Sequence, residues 1–295
     1  MQLSDFVTSF KQFALYEKNL TKPYIKDIIA MVYLLEDQTD CENLKDYNTQ
    51  TIAYFMQSMT EKRLWSPKTF RNYRQNLKTF FDFLIRQEYF KTNPVNAIAK
   101  PRLPKHLLRC LTKNQIQKLI AEIHTFSWTY PLEHWRNMAI IFMFFYTGIR
   151  MSELLNLKNQ DINFEESEFY VRQGKGSKDR TVPLHPKLVP ILKFYLGKRN
   201  ERLPVSSYLF TSVRSCKALT PKNLYAIFKK LSIKCGFKMT PHMLRHTFAK
   251  LSLEANLNPY DLKTILGHSH ISTTEIYMSM DNENIKRNFN KTELF

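Results

Sequence analysis

Cysteine, glycine and acidic residues are all scarce in this 295-residue chain, and each scarcity excludes something. The four cysteines, Cys41, Cys110, Cys216 and Cys235, are scattered without a C-x-x-C pair. That excludes a zinc knuckle and a disulfide framework, and the expectation is reduced thiols. All six glycines, Gly148, Gly174, Gly176, Gly197, Gly236 and Gly267, fall after residue 147, so the first half holds no routine left-handed turn residue and reads as helical. No apolar stretch approaches the ~20 residues that a bilayer span requires. The longest, Met138 to Tyr146, reads as a buried helix. The N-terminal run mixes Asp5 and Lys11 into an amphipathic pattern and lacks the apolar core and cleavage site of a signal peptide, so a cytoplasmic location without membrane attachment is expected.

Against 26 acidic residues stand 44 lysines and arginines, a formal net charge of +18. A field of that sign draws in phosphate polymers and makes their binding salt-dependent, so nucleic acid is the first candidate partner. With a hydrophobic share of 43%, the chain has ample material for packed cores, and its length suits two globular domains. No internal repeat or low-complexity tract interrupts it.

Apolar residues at three- and four-residue spacing predict N-terminal helices near Leu3–Lys18, Pro23–Leu35, Thr49–Lys62 and Pro67–Gln87, the last opened by Ser66 and Pro67 as N-cap and first residue. Residues 1–60 carry five basic side chains against eight acids, whereas 61–110 carry twelve against three. On the 67–87 helix Lys68, Arg71, Arg74 and Lys78 recur at helical spacing opposite Phe70, Tyr73, Leu77, Phe81 and Leu84. A solvated face is the plain reading of such a run; one sign over a whole face favours DNA contact. The prolines and positive charge from Asn93-Pro94 to Pro101-Arg102-Leu103-Pro104-Lys105 suit an extended connection, which sets the expected division at a helical domain 1–97, a linker 98–110 and a second domain 111–295.

That second domain reads as helices around one strand-rich insertion. Thr112 caps a helix Lys113–His124; Phe169-Tyr170-Val171 and Thr181-Val182-Pro183-Leu184 flank the polar turn Gly174 to Asp179 as a small antiparallel sheet. Helices follow near Leu188–Gly197, Pro221–Cys235, Pro241–Ala255, Pro259–Leu266 and Ser272–Met280, with an amphipathic tail piece at Asn282–Phe289. The fold class is therefore mainly α, with an α+β second domain.

Three clusters carry chemistry. An apolar helix turns at Gly148 and presents Arg150 at a new helix start, where Glu153 three residues on can hold its guanidinium toward an anion. Such a pair is common on ordinary helices. His242 and Arg245 share one face of a helix begun by Thr240 and Pro241; alone, they read as a surface pair. Leu266-Gly267-His268 is followed nine positions after the histidine by Tyr277, a residue type that usually packs. Gly174-Lys175-Gly176-Ser177-Lys178 lacks the frame of a phosphate loop, and His242 with His246 lacks the glutamate of a metalloprotease helix, so neither a nucleotide nor a metal site is expected.

The order Arg-x-x-Glu, Gly-Lys-Gly, His-x-x-Arg, Leu-Gly-His and Tyr resembles the tyrosine recombinases, most closely their Xer and integrase branch. The likeness spans Leu111 to Met280 and, more loosely, the first domain. It implies site-specific cleavage and rejoining of double-stranded DNA through a 3′-phosphotyrosine at Tyr277, with no cofactor and no metal. It further implies that Arg150 and Arg245 hold the scissile phosphate, Glu153 steadies Arg150, His242 assists proton transfer, Lys175 protonates the leaving 5′-oxygen and His268 donates to the phosphate. Arg180 and Lys178 are set aside in favour of Lys175. Also implied are a helical core-binding first domain, a nucleoid-associated location and a homo- or heterotetramer on two duplexes, joined by exchange of the tail 282–295. Residue types support the chemistry independently: an in-line nucleophile, cationic donors around the phosphate and a proton for the leaving group are all present. A DNA-binding protein without catalysis, a metal-dependent nuclease and a type IB topoisomerase are the competing readings.

Overall fold

The computed structural model describes residues 1–104, 108–172, 179–202, 206–214 and 217–268. The chain divides into two compact units, Met1–His106 and Leu107–Phe295.

The first unit is built from α1 (Val7–Gln12), α2 (Lys22–Asp37), α3 (Thr49–Arg63) and α4 (Pro67–Arg86). The expected helix Leu3–Lys18 is continuous but not uniform: a 3-10 turn Leu3–Phe6 leads into α1, and a π turn Phe13–Glu17 follows it. That winding keeps Phe10, Phe13 and Ala14 all buried, and the two rings pack against Phe80 and Phe83 of α4. Ser66 caps α4 through the Thr69 amide, as its position predicts. Without glycine, left-handed backbone falls to Asn19, Leu64 and Glu88, where Leu64 ends α3 at φ 50°.

The last part of the unit packs back on α4. Asn93 donates to the Lys78 carbonyl and to Asp82, and Val95 and Ile98 enter the core. Arg71 Nε reaches the carbonyl of Pro101 at 2.8 Å. The stretch from residue 98 to 101, expected as linker, thus belongs to the first unit's packing.

In the second unit α5 (Lys113–Thr125) is capped by Thr112 in a reciprocal box with Gln115. The helix α6 (Pro131–Thr147) is buried all round from Met138 to Phe144 and packs against α8 (Val189–Asn200) and α10 (Pro241–Glu254). Between them lie α7 (Met151–Asn156) and a three-stranded antiparallel sheet, β1 (Ile162–Asn163), β2 (Glu168–Val171) and β3 (Arg180–Pro183), in that order. Phe169 pairs with Val182, and both point into the core. The remaining helices are α9 (Pro221–Cys235) and α11 (Pro259–Leu266), and β3 lies against α11. α8 runs three residues past Gly197, which sits inside the helix instead of ending it. Among the described residues no helix is long and apolar enough to cross a membrane. The expected helix Ser272–Met280, the tail 282–295 and Cys216 lie outside the described residues.

Candidate active site

Two helix ends and one strand meet at Glu153. At the end of α6, Gly148 takes a left-handed φ of 59°, and a Cβ there would stand 2.5 Å from Phe248 and 2.8 Å from Leu266. Only glycine lets the chain turn this close to α10 and α11. Two residues later Arg150 is the N-cap of α7, and its amide donates to Glu153 Oε2 at 2.9 Å.

The Glu153 carboxylate is buried and accepts four hydrogen bonds. Besides the Arg150 amide, it takes Arg150 Nη1 on Oε1 at 2.8 Å and both Arg180 Nη atoms, one on each oxygen, at 2.9 Å. Burial alone raises a carboxyl; here the Arg180 and Arg150 donors outweigh it and hold Glu153 down at about 2. It is a fixed anion at neutral pH.

Arg150 extends its second Nη to the carbonyl of Gly267 at 2.7 Å and remains about one-fifth exposed. Arg245, from the first turns of α10, is buried and donates to the carbonyls of Gly148 at 2.6 Å and Leu266 at 2.8 Å. Thr240 and Pro241 start that helix as expected, the Thr240 hydroxyl accepting from the Met243 amide. The two expected phosphate-binding arginines therefore share the same pair of turns, one at Gly148 and one at Leu266-Gly267.

His268 follows directly, its amide bonded to the Lys263 carbonyl at 3.1 Å. Burial pushes its imidazole down to about 4, aided by the charges of Arg245, Arg150, Arg180 and His246. His242 is solvent-exposed, yet partial desolvation of its ring with Arg245 and Arg150 nearby also lowers it. Both rings are neutral at pH 7, able to accept or donate a proton through one nitrogen each. Burial, His242 and Arg245 lower His246 in the same way.

Arg150, Glu153, His242, Arg245 and His268 thus gather at one place. Lys175 and Tyr277 lie outside the described residues, as does the rest of 173–178, expected as a polar turn. One residue that sequence reasoning set aside belongs here: Arg180. Strand alternation was the available signal, since Arg180 shares the inward face of β3 with Val182.

On α4 the four basic residues separate. Lys68 is exposed. Lys78 pairs with Asp82 at 2.6 Å, and Arg71 bonds the Pro101 carbonyl. Arg74 is a correction: expected on a DNA-facing side, it is 5% exposed, and its guanidinium donates to the carbonyls of Ile98, Val95 and Asn96 at 2.7 to 3.0 Å. The carbonyls of residues 95, 96 and 98 together hold it inside the first unit.

A tyrosine recombinase XerA from Pyrococcus furiosus is 38% identical over 212 residues, covering 70% of this chain and 71% of that protein. A tyrosine recombinase XerD from Listeria innocua is 28% identical over 284 residues, covering 93% and 94%. Among solved structures, XerH site-specific recombinase bound to palindromic difH substrate superposes with a TM-score of 0.75 at 24% identity, over 92% of this chain and 80% of that one. The Tn1549 transposon integrase with circular intermediate DNA gives 0.76 at 22% identity, over 94% and 95%. The model of the phage integrase family matches residues 109–284, and with it the chain belongs to that family as a Xer-like tyrosine recombinase.

Proposed function

We propose that this recombinase cleaves double-stranded DNA with the Tyr277 hydroxyl as nucleophile and rejoins it from a 3′-phosphotyrosine, without a cofactor. The observation that carries the reading is the convergence of Arg150, Arg245 and His268 on the turns at Gly148 and Gly267, braced by Glu153. Planar guanidinium groups suit the non-bridging oxygens of a phosphodiester, and their preorganisation stabilises charge that builds up in the transition state.

The roles then divide. Arg150 and Arg245 hold the phosphate, and Glu153 keeps Arg150 in place. Neutral His242 takes part in proton transfer at the nucleophile, and His268 donates to a phosphate oxygen. Lys175 protonates the leaving 5′-oxygen. The phosphotyrosine ester conserves the energy of the broken linkage, so the free 5′-hydroxyl can attack it and reseal the strand.

DNA is the partner, gripped in part through Lys68, Arg71 and Lys78 of α4. The first unit acts as the helical core-binding domain. Four protomers, in a homo- or heterotetramer, work on two duplexes and exchange their tails 282–295, so deleting Asn282–Phe295 should spare single-duplex binding and impair synapsis; unimpaired recombination would refute this. The biological setting is resolution of chromosome or plasmid dimers, or integration and excision of a mobile element, in the nucleoid-bearing cytoplasm.

Covalent capture tests the reading. The protein is incubated in EDTA with a library of random-sequence duplexes, denatured, and the protein-linked DNA recovered and sequenced. A recurrent duplex covalently attached to protein is expected. Cleavage that needs a divalent metal and leaves no adduct would overturn the proposal in favour of a metal nuclease.

A further inference from the structure

The roles given above leave Arg180 unused, although it is among the most constrained side chains of the second unit. Its side chain is 8% exposed. Three of its five N–H groups are committed: Nε to the Ile265 carbonyl at 2.8 Å, and one on each Nη to the two oxygens of Glu153 at 2.9 Å. The planar group also lies flat against the bare Cα of Gly267, where a Cβ would come within 2.8 to 3.1 Å of Nη1, Cζ and Nε. Gly267 in turn takes φ 63° and gives its carbonyl to Arg150 at 2.7 Å.

We propose that Arg180 is the positioning residue that ties strand β3 to the phosphate clamp. It grips Glu153 and the end of α11 together, so that Arg150, His268 and the start of β3 keep one mutual arrangement. The inference rests on the recombinase reading and adds to it a residue that never meets the phosphate. With a carboxylate and a carbonyl on it and little exposure, Arg180 is in no position to serve as a third phosphate ligand. What it supplies is register: β3 begins five residues after Lys175 in the sequence, and Glu153 sets the direction of Arg150. A fork is required because two oxygens of one carboxylate and a carbonyl on a different element must be reached from one planar group. Misplacement of reacting groups by an ångström, with no contact to substrate lost, is enough to slow a reaction greatly.

The experiment uses the full-length protein and the duplex recovered by covalent capture. Arg180→Gln and Arg180→Lys are compared with wild type for duplex affinity, single-turnover rate of adduct formation, and the pH dependence of that rate. With affinity unchanged within about twofold, the rate should fall roughly ten- to a hundredfold for Arg180→Gln. Arg180→Lys, which keeps the charge but offers one point donor, should fall between. Removing the main group that holds Glu153 down should also move the acid limb of the rate profile to higher pH, since burial would then push that carboxyl up with only Arg150 opposing it. A purely structural arginine would lower the folded fraction and leave that limb in place. Rates within twofold of wild type, or a loss that follows affinity or folded fraction alone, would overturn the proposal. Should Arg180→Gln not fold, Arg180→Lys carries the same comparison. If wild-type protein forms no adduct on any duplex, the recombinase reading falls and this inference falls with it.

Discussion

Replacing Glu153 with glutamine changes one charge and almost no volume, yet it should be among the most costly single substitutions in the second unit. The carboxylate side chain is 3% exposed and bonded to two guanidinium groups, one of them 8% exposed. Glutamine would leave two cations facing an amide that can accept from only one oxygen. Breaking a buried ion pair by removing one partner costs about 3–5 kcal/mol. An independent route gives a similar figure: holding the carboxyl at about 2 against an ordinary 4.5 corresponds to about 3 kcal/mol of stability at neutral pH. The sign follows from the depressed value. The stabilisation is fully present above pH 4.5 and is lost as pH falls toward 2. Differential scanning calorimetry of wild type and Glu153→Gln should therefore show a transition lowered by roughly 6–12 °C at pH 7, at about 2–4 °C per kcal/mol for a unit of this size. That gap should close as the buffer is taken toward pH 3. A gap under about 2 °C at pH 7, or one that does not narrow in acid, would refute the reasoning.

Other substitutions separate the parts of the account. Arg74→Ala should destabilise the first unit by about 2–4 kcal/mol, because three carbonyls lose a charged donor, whereas Lys68→Ala should leave the melting temperature unchanged and reduce the salt dependence of DNA binding by about one ion. Chemical denaturation and filter binding across a salt series check both, and equal stability of the two variants would contradict the assignment. Gly148→Ala sets a Cβ 2.5 Å from Phe248 on backbone at φ 59°, for an expected loss of about 1–3 kcal/mol measured by denaturant unfolding; a neutral result would mean the turn relaxes freely. Lys175→Ala should slow cleavage of a normal duplex and be largely restored when the leaving group is a 5′-thiol, which needs no proton. Failure of that rescue would place the general acid elsewhere.

Much of this molecule is legible in its sequence because local chemistry and tertiary demand agree. Ser66, Thr112 and Thr240 are caps by residue type and caps in the fold. The all-apolar stretch of α6 can only be central, and alternation around Phe169 and Val182 marks the sheet. Arg150, Glu153, His242, Arg245 and His268 are each ordinary by spacing; their joint order carries the family resemblance that singles them out, and they meet. What spacing does not carry is where a long side chain ends. Arg74 and Lys68 share a helical face in the sequence, but one guanidinium turns inward because residues 95–98 fold back and present three carbonyls to a single planar group. Arg180 looked like one more loop cation; its partners are 27 and 85 positions away, a relation fixed only when β3 settles against α11. The missing glycines of the first unit likewise hid three left-handed residues, since the backbone there is dictated by helix ends that must turn whatever side chain they bear.

The central claim is that a phenolic ester at Tyr277 links protein to DNA. It is tested most directly by digesting the captured adduct with trypsin and nuclease and locating the modified residue by mass spectrometry, with Tyr277→Phe as the parallel sample. The account predicts a nucleotide on the peptide containing Tyr277 and no adduct from Tyr277→Phe. An adduct that persists in Tyr277→Phe, or a nucleotide mapped to any other residue, would contradict it.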